Sequence, residues 1–231
     1  MAQSIKLIPV VYSDDELMIF NKPARLLVIA TPKGEDHTLT NIVNEQYSKD
    51  QSKLHPCHRL DRDTSGLIIY AKGKKNQQKM MDLFHQHKVN KKYLAFVQGL
   101  LKNKTGEFKS KVVNLEQQHF GINDGKMAVT QYQVIAQEKT FAIVLVNILT
   151  GRTNQIRIHF SDKGYPLLGD RKYGRGRDFQ LSFRRTALHA MFLDFPHPVT
   201  GQVVSVKAEL PEDMKSFLQK QGVILDNILL S

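Results

Sequence analysis

Apolar residues recur along this chain with two different spacings, one typical of strands and the other of helices. Short runs that alternate between apolar and polar residues, or that are apolar throughout, predict strands, because side chains of a strand point alternately to its two faces. Runs with apolar residues three and four positions apart predict helices. The predicted strands cover residues 7–12, 17–20, 67–72, 92–98, 128–136, 141–149, 187–195 and 203–209, and the predicted helices 39–47, 74–88, 154–162 and 212–220.

The order of these segments predicts the fold class. The chain consists of hairpins with helices inserted between them and does not alternate regularly between one strand and one helix. This order favours an α+β fold with a mixed, largely antiparallel central sheet and flanking helices. Strand 92–98 is apolar on both faces and is therefore expected near the centre of the sheet. Residues 102–126 are polar and predict an excursion with one or two weak strands. The 231 residues suit a single domain, and a monomer is the default expectation.

The densest set of ionisable side chains lies directly before an apolar run. Residues 58–66 are His-Arg-Leu-Asp-Arg-Asp-Thr-Ser-Gly, and residues 67–71 are Leu-Ile-Ile-Tyr-Ala. Charged side chains beside a buried strand are costly unless they serve one another or a ligand. We therefore interpret the motif as a charged active-site loop, with a polar turn that caps the strand as the alternative. If the segment is extended, Arg59, Asp61 and Asp63 share one side.

Asp61 and Asp63 suggest two kinds of acid–base chemistry. A paired-carboxylate hydrolase needs one general acid with a raised pKa. The arginines in and near the motif favour the ionised carboxylate instead, because a neighbouring guanidinium lowers the pKa of a carboxyl group. A single ionised aspartate that acts as nucleophile or base therefore fits the sequence better than a pair.

The sequence contains no recognisable metal or cofactor motif. His55, Cys57 and His58 match no zinc spacing, and no second cluster of cysteines and histidines completes four ligands. A glycine-rich phosphate loop and a dinucleotide fingerprint are both missing from the sequence. We therefore expect neither a metal nor a cofactor.

A second dense cluster covers residues 151–159, Gly-Arg-Thr-Asn-Gln-Ile-Arg-Ile-His. On a helix, Asn154, Arg157 and Ser161 share one face, while Ile156 and Phe160 share another. This arrangement allows Arg157 to project into a site while apolar contacts anchor its helix. The alternative is a surface arginine on an amphipathic helix.

Basic residues outnumber acidic residues in the whole chain, and six of them lie within residues 171–185. Lysine and arginine number 33 against 22 aspartate and glutamate residues, a net charge of +11, which favours a polyanionic partner, nucleic acid first. The basic run predicts contact with phosphates, or alternatively a solvated loop. Its members are Arg171, Lys172, Arg175, Arg177, Arg184 and Arg185, with Tyr173 and Phe179 between them.

The cysteine content and the apolar runs bear on the compartment. Cys57 is the single cysteine, so an intramolecular disulfide is impossible and an oxidising compartment gains no support. Residues 1–11 lack the basic head and long apolar core of a signal peptide. The longest apolar run, residues 141–146, is too short to span a bilayer. We expect a cytoplasmic protein that does not enter a membrane.

Taken together, the motifs at residues 58–66, at Lys92-Tyr93 with Gly99, and at residues 150–159 resemble the RluA family of RNA pseudouridine synthases. The resemblance extends over residues 14–213. It implies the pseudouridine synthase fold with a catalytic cleft, and an enzyme that isomerises uridines in ribosomal or transfer RNA without a cofactor. Supporting stretches are Asn21-Lys22-Pro23, residues 166–170 (Pro-Leu-Leu-Gly-Asp), residues 187–190 and His197-Pro198.

The resemblance also implies roles for individual residues. Asp61 is similar to the catalytic aspartate of the family, Tyr93 to the tyrosine that stacks on the target base, and Arg157 to the basic residue that holds the aspartate ionised. Arg59 resembles the arginine that fills the space left by a flipped uridine. Further RNA contacts are expected from His58, Arg62, Thr64, Arg152, Gln155, Arg171, Lys172 and Arg184.

Two residues depart from the family pattern, since Asn154 stands where histidine is usual and Arg25 where glycine is typical. A separate N-terminal RNA-binding module is not expected, because the fold begins within the first ~15 residues, too few for a domain. Two alternatives stay open, a non-catalytic RNA- or ribosome-binding protein on the same fold and a hydrolase that uses Asp61 and Asp63.

Overall fold

The computed structural model describes residues 7–31, 34–48, 53–113, 124–174 and 181–224. The strands within these ranges are β1 (Val10–Ser13), β2 (Leu17–Lys22), β3 (Leu54–Pro56), β4 (Ser65–Lys72), β5 (Asn90–Gln98), β6 (Thr105–Val112), β7 (Lys126–Gln137), β8 (Phe141–Ile148), β9 (Leu188–Pro196) and β10 (Val203–Lys207). The helices there are α1 (Leu39–Tyr47), α2 (Lys74–His85), α3 (Gln155–Asp162) and α4 (Glu212–Lys220). None of these helices is long and apolar enough to cross a membrane.

The chain divides into two compact units. The first comprises Met1–Val89 and Ala190–Glu209, and the second comprises Asn90–His189 and Leu210–Ser231. Each unit combines antiparallel strand pairs with helices, so the predicted α+β class with a largely antiparallel sheet is confirmed.

The first unit is built on β1, β2, β4 and β9, in that order, with β3 beside β4 and β10 beside β9. β2 and β4 pair antiparallel, from Leu17 opposite Ala71 to Lys22 opposite Gly66. The charged motif therefore lies where β4 begins and β2 ends. A buried apolar cluster holds these strands and α2 together: Leu17, Ile19, Cys57, Leu67, Ile69, Ala71, Met80, Val89, Leu193, Phe195, Val204 and Ala208.

The second unit is a four-stranded antiparallel sheet in the order β5-β8-β7-β6. One face carries Tyr93 of β5, and α3 covers this face, because Phe160 of α3 packs edge-on against Phe108 of β6 and Tyr132 of β7. The opposite face carries Phe96, whose ring stacks on Phe217 of α4 at 5.4 Å between centroids. The unit therefore presents Tyr93 and α3 on the same side of its sheet.

Local signals place the helix ends. α1 begins after Thr38, as predicted, and the Thr38 hydroxyl accepts a hydrogen bond from the backbone N–H of Asn41 at 3.3 Å. Pro211 directly precedes α4 and has no N–H to leave unsatisfied there.

Some predicted boundaries were wrong. α2 ends at His85 rather than at residue 88, and α3 begins at Gln155, because Asn154 before it has a left-handed backbone with φ of 55°. β3 was not predicted, since its three residues are too few to show alternation. β6 is a full strand of eight residues within the segment expected to hold only weak strands.

Candidate active site

The charged motif at residues 58–66 forms a turn that leads into β4. The backbone N–H of Thr64 donates to the carbonyl oxygen of Asp61 at 3.1 Å, so residues 61–64 are not extended. The alternation of Arg59, Asp61 and Asp63, which depends on an extended segment, therefore does not apply. Both aspartates are half-buried, and Arg59 is exposed.

Lys22 holds this turn from β2. Its side chain is fully buried, and its Nζ donates to the carbonyl oxygens of Pro23 at 2.9 Å, Leu26 at 2.7 Å and Arg62 at 3.1 Å. Arg62 follows Asp61 directly, so a buried ammonium group fixes the backbone next to the predicted catalytic carboxylate. Sequence reasoning noted Lys22 only as part of a supporting motif and missed this contact.

Two small or buried residues close the turn onto the first unit. Gly66 has a φ of 112°, and a Cβ atom there would lie 2.2 Å from the carbonyl oxygen of Ala190, so only glycine fits between these backbones. Thr64 has 2% of its surface exposed. We therefore assign Thr64 to support of the turn rather than to the predicted contact with RNA.

The other predicted RNA-binding residues of the motif differ in their surroundings. The Nε2 atom of His58 accepts a hydrogen bond from the backbone N–H of Ile69 at 3.0 Å, and its ring packs against Phe84. His58 thus anchors the start of the motif within the protein. Arg62 is exposed and forms an ion pair with Glu35, a contact that exposed side chains exchange readily for a phosphate.

Tyr93 lies in the second unit on the face of β5 that α3 covers, and 6% of its surface is exposed. Lys91, two residues earlier, lies on the same face because strand side chains alternate. Its Nζ approaches the loop before α3, since a Cβ atom on Gly151 would lie 3.7 Å from it. Burial lowers the pKa of Lys91 to about 8. Sequence reasoning missed this lysine.

Arg157 projects from α3 into a fixed set of partners. Its Nε and one terminal nitrogen donate to the two carboxylate oxygens of Asp170 at 2.7 and 2.9 Å. The other terminal nitrogen donates to Oδ1 of Asn154 at 2.9 Å, and the guanidinium carbon lies 4.9 Å from the centre of the Tyr173 ring. The alternative of a surface arginine on an amphipathic helix is wrong, because the Arg157 side chain is only 12% exposed and six of the eight residues of α3 are buried.

Gln155 fixes the loop before α3. Its Oε1 accepts from the hydroxyl of Thr150 at 2.7 Å and from the backbone N–H of Arg152 at 3.1 Å. Its Nε2 donates to the carbonyl oxygen of Val129 and to the hydroxyl of Thr130, both at 2.9 Å. These four bonds use the whole capacity of an amide side chain. We therefore assign Gln155 to positioning of the loop rather than to the predicted contact with RNA.

The predicted phosphate-binding residues of the second unit are exposed where the structure describes them. Arg152, Arg171, Lys172 and Arg184 are all exposed. Arg185 is buried instead and pairs with Asp213 of α4, so it serves the fold. Arg175, Arg177 and Phe179 lie outside the described residues.

Among the described residues, one group of side chains has the composition of a metal site, and it lies in the first unit. The Nε2 atom of His197 lies 3.1 Å from Asp14 and 3.8 Å from Glu16. Its Nδ1, however, accepts from the backbone N–H groups of Val199 and Thr200. The imidazole proton is therefore on Nε2, between the carboxylates, where a metal would have to displace it. This set closes the β1–β2 turn through short contacts between the imidazole and the carboxylates rather than as a ligand set.

The predicted catalytic residues thus belong to different units. Asp61 and Arg59 lie in the first unit, and Tyr93 and Arg157 lie in the second. In the first unit, the buried Lys22 binds the backbone next to Asp61. In the second unit, the buried Asp170 binds the side chain of Arg157. The direct pairing of Asp61 with Arg157 stays a prediction.

A family model, related sequences and solved structures were compared with this chain, and all three point to the same family. Residues 16–162 match the family model described as RNA pseudouridylate synthase. The chain is 34% identical to "Ribosomal large subunit pseudouridine synthase D" of Zymomonas mobilis, over 89% of this chain and 70% of that protein. It is also 34% identical to an uncharacterized RNA pseudouridine synthase of Bacillus subtilis, over 90% of this chain and 71% of that protein.

A solved structure shows the same fold. "Human RNA Pseudouridylate Synthase Domain Containing 4" superimposes with a TM-score of 0.80, at 24% sequence identity, and the match covers 94% of each chain. Together with the family match over residues 16–162, these relationships show that the chain belongs to the RluA-type RNA pseudouridine synthases, the isomerases that convert uridine in RNA to pseudouridine.

Proposed function

We propose that Asp61 is the catalytic aspartate of this pseudouridine synthase and that Arg157 holds its carboxylate ionised and oriented. The observation that carries the proposal is the anchoring of the backbone next to Asp61 and of the Arg157 side chain. The backbone at Asp61 is fixed by Lys22 and by the close approach of Gly66 to Ala190, and Arg157 is fixed by Asp170 and Asn154. Catalytic groups need such anchoring because small misplacements reduce the rate strongly.

The reaction itself balances without a further reactant. The bond between C1′ of the ribose and N1 of the uracil breaks, a bond between C1′ and C5 forms, C5 loses a proton and N1 gains one. An ionised Asp61 serves this sequence as nucleophile or base. The uracil must leave the base stack before it can rotate, and we assign Tyr93 to stacking on the target base and the exposed Arg59 to the space that the base leaves.

The exposed cations supply the remaining affinity for RNA. We assign the phosphate contacts to Arg62, Arg152, Arg171, Lys172 and Arg184, all of which are exposed. Such contacts carry no sequence information and make binding depend on salt. Replacement of Lys172 by alanine should therefore weaken RNA binding for all sequences and reduce the slope of log K against log salt by about one.

Release of tritium from RNA labelled at C5 of uridine tests the catalytic assignment. Asp61→Asn should lower the rate by about a hundredfold or more, because the essential carboxylate is lost. Asp63→Asn is the matched control and should stay close to the wild type. Equal damage from both substitutions would support a pair of carboxylates instead, and undiminished release in Asp61→Asn would remove Asp61 from the mechanism.

Ribosomal RNA of the large subunit is the substrate that we propose. The support is that several relatives, 30–34% identical to this chain, are named ribosomal large subunit pseudouridine synthase D. We place the protein in the cytoplasm with that RNA. Pseudouridines can be mapped in cells with and without the gene. We expect one or more of them to be missing from large-subunit RNA in the cells without it. Loss from transfer RNA alone would redirect the proposal to that substrate.

A further inference from the structure

We infer that Asp170 is a positioning residue for the reaction, which acts by setting the orientation of Arg157. The inference rests on the proposed role of Arg157 and adds a residue that the recognised motifs left without a role. Asp170 binds the guanidinium in a bidentate manner, with Nε to Oδ2 at 2.7 Å and a terminal nitrogen to Oδ1 at 2.9 Å. Two parallel bonds fix both the position and the plane of the guanidinium.

The carboxylate of Asp170 is itself immobilised by the backbone. Its side chain is 1% exposed, and Oδ1 also accepts from the backbone N–H groups of Lys172 and Tyr173 at 3.1 and 3.0 Å. Gly169, directly before it, has a φ of 72°, and a Cβ atom there would lie 2.0 Å from the carbonyl oxygen of Arg185. The position of Asp170 is thus determined by main-chain geometry, and Arg157 takes its position from Asp170.

Asn154 and Tyr173 complete a ring of contacts around the guanidinium. Oδ1 of Asn154 accepts from Arg157 at 2.9 Å, and its Nδ2 donates to the hydroxyl of Tyr173 at 3.1 Å. The Tyr173 ring packs against the guanidinium, and the backbone N–H of Tyr173 donates to Oδ1 of Asp170. Asparagine therefore performs a defined task at the position where the family usually has histidine, and it does so from a left-handed backbone conformation that asparagine tolerates well.

The arrangement has an electrostatic consequence. The carboxylate of Asp170 forms an ion pair with Arg157 and so offsets the charge of the guanidinium. In its proposed role, Arg157 then serves as a directional hydrogen-bond donor rather than as an isolated cation. A lysine at this position carries the same charge but cannot form the fork that Asp170 binds. Arg157→Lys should therefore be nearly as slow as Arg157→Met.

The test is the single-turnover and steady-state kinetics of Asp170→Asn. Asparagine keeps an oxygen for the backbone N–H groups of Lys172 and Tyr173, but it turns an N–H group toward Nε of Arg157, where a carboxylate oxygen is needed. We expect kcat to fall by about 10–100-fold, as for a slightly misplaced catalytic group, with KM for the RNA nearly unchanged.

Asp213→Asn is the matched control. Asp213 binds Arg185 with the same bidentate geometry, at 2.6 and 3.0 Å, in the same unit but on a different helix from the one that carries Arg157. Both substitutions break one bidentate pair between an arginine and a carboxylate, although Asp213 is 47% exposed and Asp170 only 1%. A purely structural effect should therefore lower the melting temperature in both, and more in Asp170→Asn. Only Asp170→Asn should lower kcat in the fraction that is folded.

The double variants separate positioning from stability. If Asp170 acts through Arg157, then Asp170→Asn combined with Arg157→Lys should be no slower than Arg157→Lys alone. Multiplied losses would overturn the inference. Asn154→Gly, which keeps the left-handed backbone without the buried charge change, provides a second variant if Asp170→Asn does not fold. Asn154→Gly should lower kcat less than Asp170→Asn does. When it is combined with Arg157→Lys, it should cause no further loss of kcat.

The failure of this inference differs from the failure of the proposed function. Full activity in Arg157→Lys and Arg157→Met would remove Arg157 from the mechanism, and the role of Asp170 with it. A large loss in those variants beside normal kinetics in Asp170→Asn would retain Arg157 and overturn Asp170 as its positioning residue.

Discussion

The Nζ atom of Lys22 lies 3.1 Å from the carbonyl oxygen of Arg62, although 40 residues separate the two in the sequence. This contact joins the end of β2 to the turn that carries Asp61. A lysine on an otherwise buried strand is unusual, and here its ammonium group satisfies three carbonyl oxygens that would otherwise have no strong donor.

Lys22→Met should therefore destabilise the first unit through those carbonyl groups. We expect the free energy of unfolding to fall by about 2–4 kcal/mol, because three carbonyl oxygens, including that of the buried Leu26, lose the same donor at once. Amide hydrogen exchange of residues 61–64 should become faster. Lys72→Met is the control, since Lys72 donates to one carbonyl oxygen, that of Asp14, and a smaller loss is expected. Unchanged exchange in Lys22→Met would contradict the proposed hold on the turn.

Gly66→Ala should prevent β4 from reaching its place beside β9. The added Cβ atom would lie 2.2 Å from the Ala190 carbonyl oxygen at a φ that alanine rarely adopts, and we expect a loss of about 2–5 kcal/mol in the free energy of unfolding. Gly201→Ala separates the two causes, because Gly201 has a φ of 73° but nothing within 4 Å. It should cost about 1 kcal/mol from backbone strain alone. Denaturant unfolding of both variants measures the difference.

Arg25 offers a test of backbone strain. Its φ is 64°, a region that glycine enters without steric cost, and this accounts for the glycine that is typical of the family there. Arg25→Gly should be more stable than Arg25→Ala by about 1 kcal/mol. The comparison removes the arginine side chain from both variants, so only the backbone differs. Equal melting temperatures would show that the strain is negligible.

Stability should decline in mild acid because of His159. Burial lowers the pKa of His159 below the ordinary value of 6.5. Its Nε2 is buried without a hydrogen-bond partner among the described residues. The unfolded chain therefore binds a proton more readily, and the free energy of unfolding should fall as the pH drops below about 6.5 toward the lowered pKa.

His159→Gln is the matching variant for that titration. Glutamine can still bond to the hydroxyl of Thr130, which lies 2.9 Å from Nδ1 of His159, but it does not titrate. Urea unfolding at pH 5, 6, 7 and 8 should show a shallower decline in the variant. Parallel curves for the two proteins would assign the acid sensitivity to other groups.

Local signals predicted the elements well where the structure depends on local interactions. The Thr38 cap and the apolar spacing of residues 39–47 are enough to define α1, and its predicted and observed bounds coincide. β3 was missed because Leu54–Pro56 is held by its pairing with β4, and pairing leaves no periodic pattern in three residues.

The candidate site was predictable only in part, because its supporting contacts span long stretches of sequence. Asp61 and Arg157 stand out through their motifs. The roles of Lys22 and Asp170 depend on contacts 40 and 13 residues away, which no spacing rule shows. The only available signal was their place in Asn21-Lys22-Pro23 and in Leu168-Gly169-Asp170. The sequence predicted a loop at residues 58–66, but the hydrogen bond from Thr64 to Asp61 that shapes its turn has no signature in the residue types.

The discontinuity of the first unit has a consequence for synthesis on the ribosome. The apolar cluster that holds β4 includes Leu193, Phe195, Val204 and Ala208, and Gly66 fits against Ala190. A nascent chain therefore makes the turn with Asp61 long before it makes the strands that complete the surrounding core. The whole of residues 90–189 must emerge first. Catalytic competence should consequently appear late in translation, when almost the entire described chain has left the ribosome, rather than once the motif itself has been made.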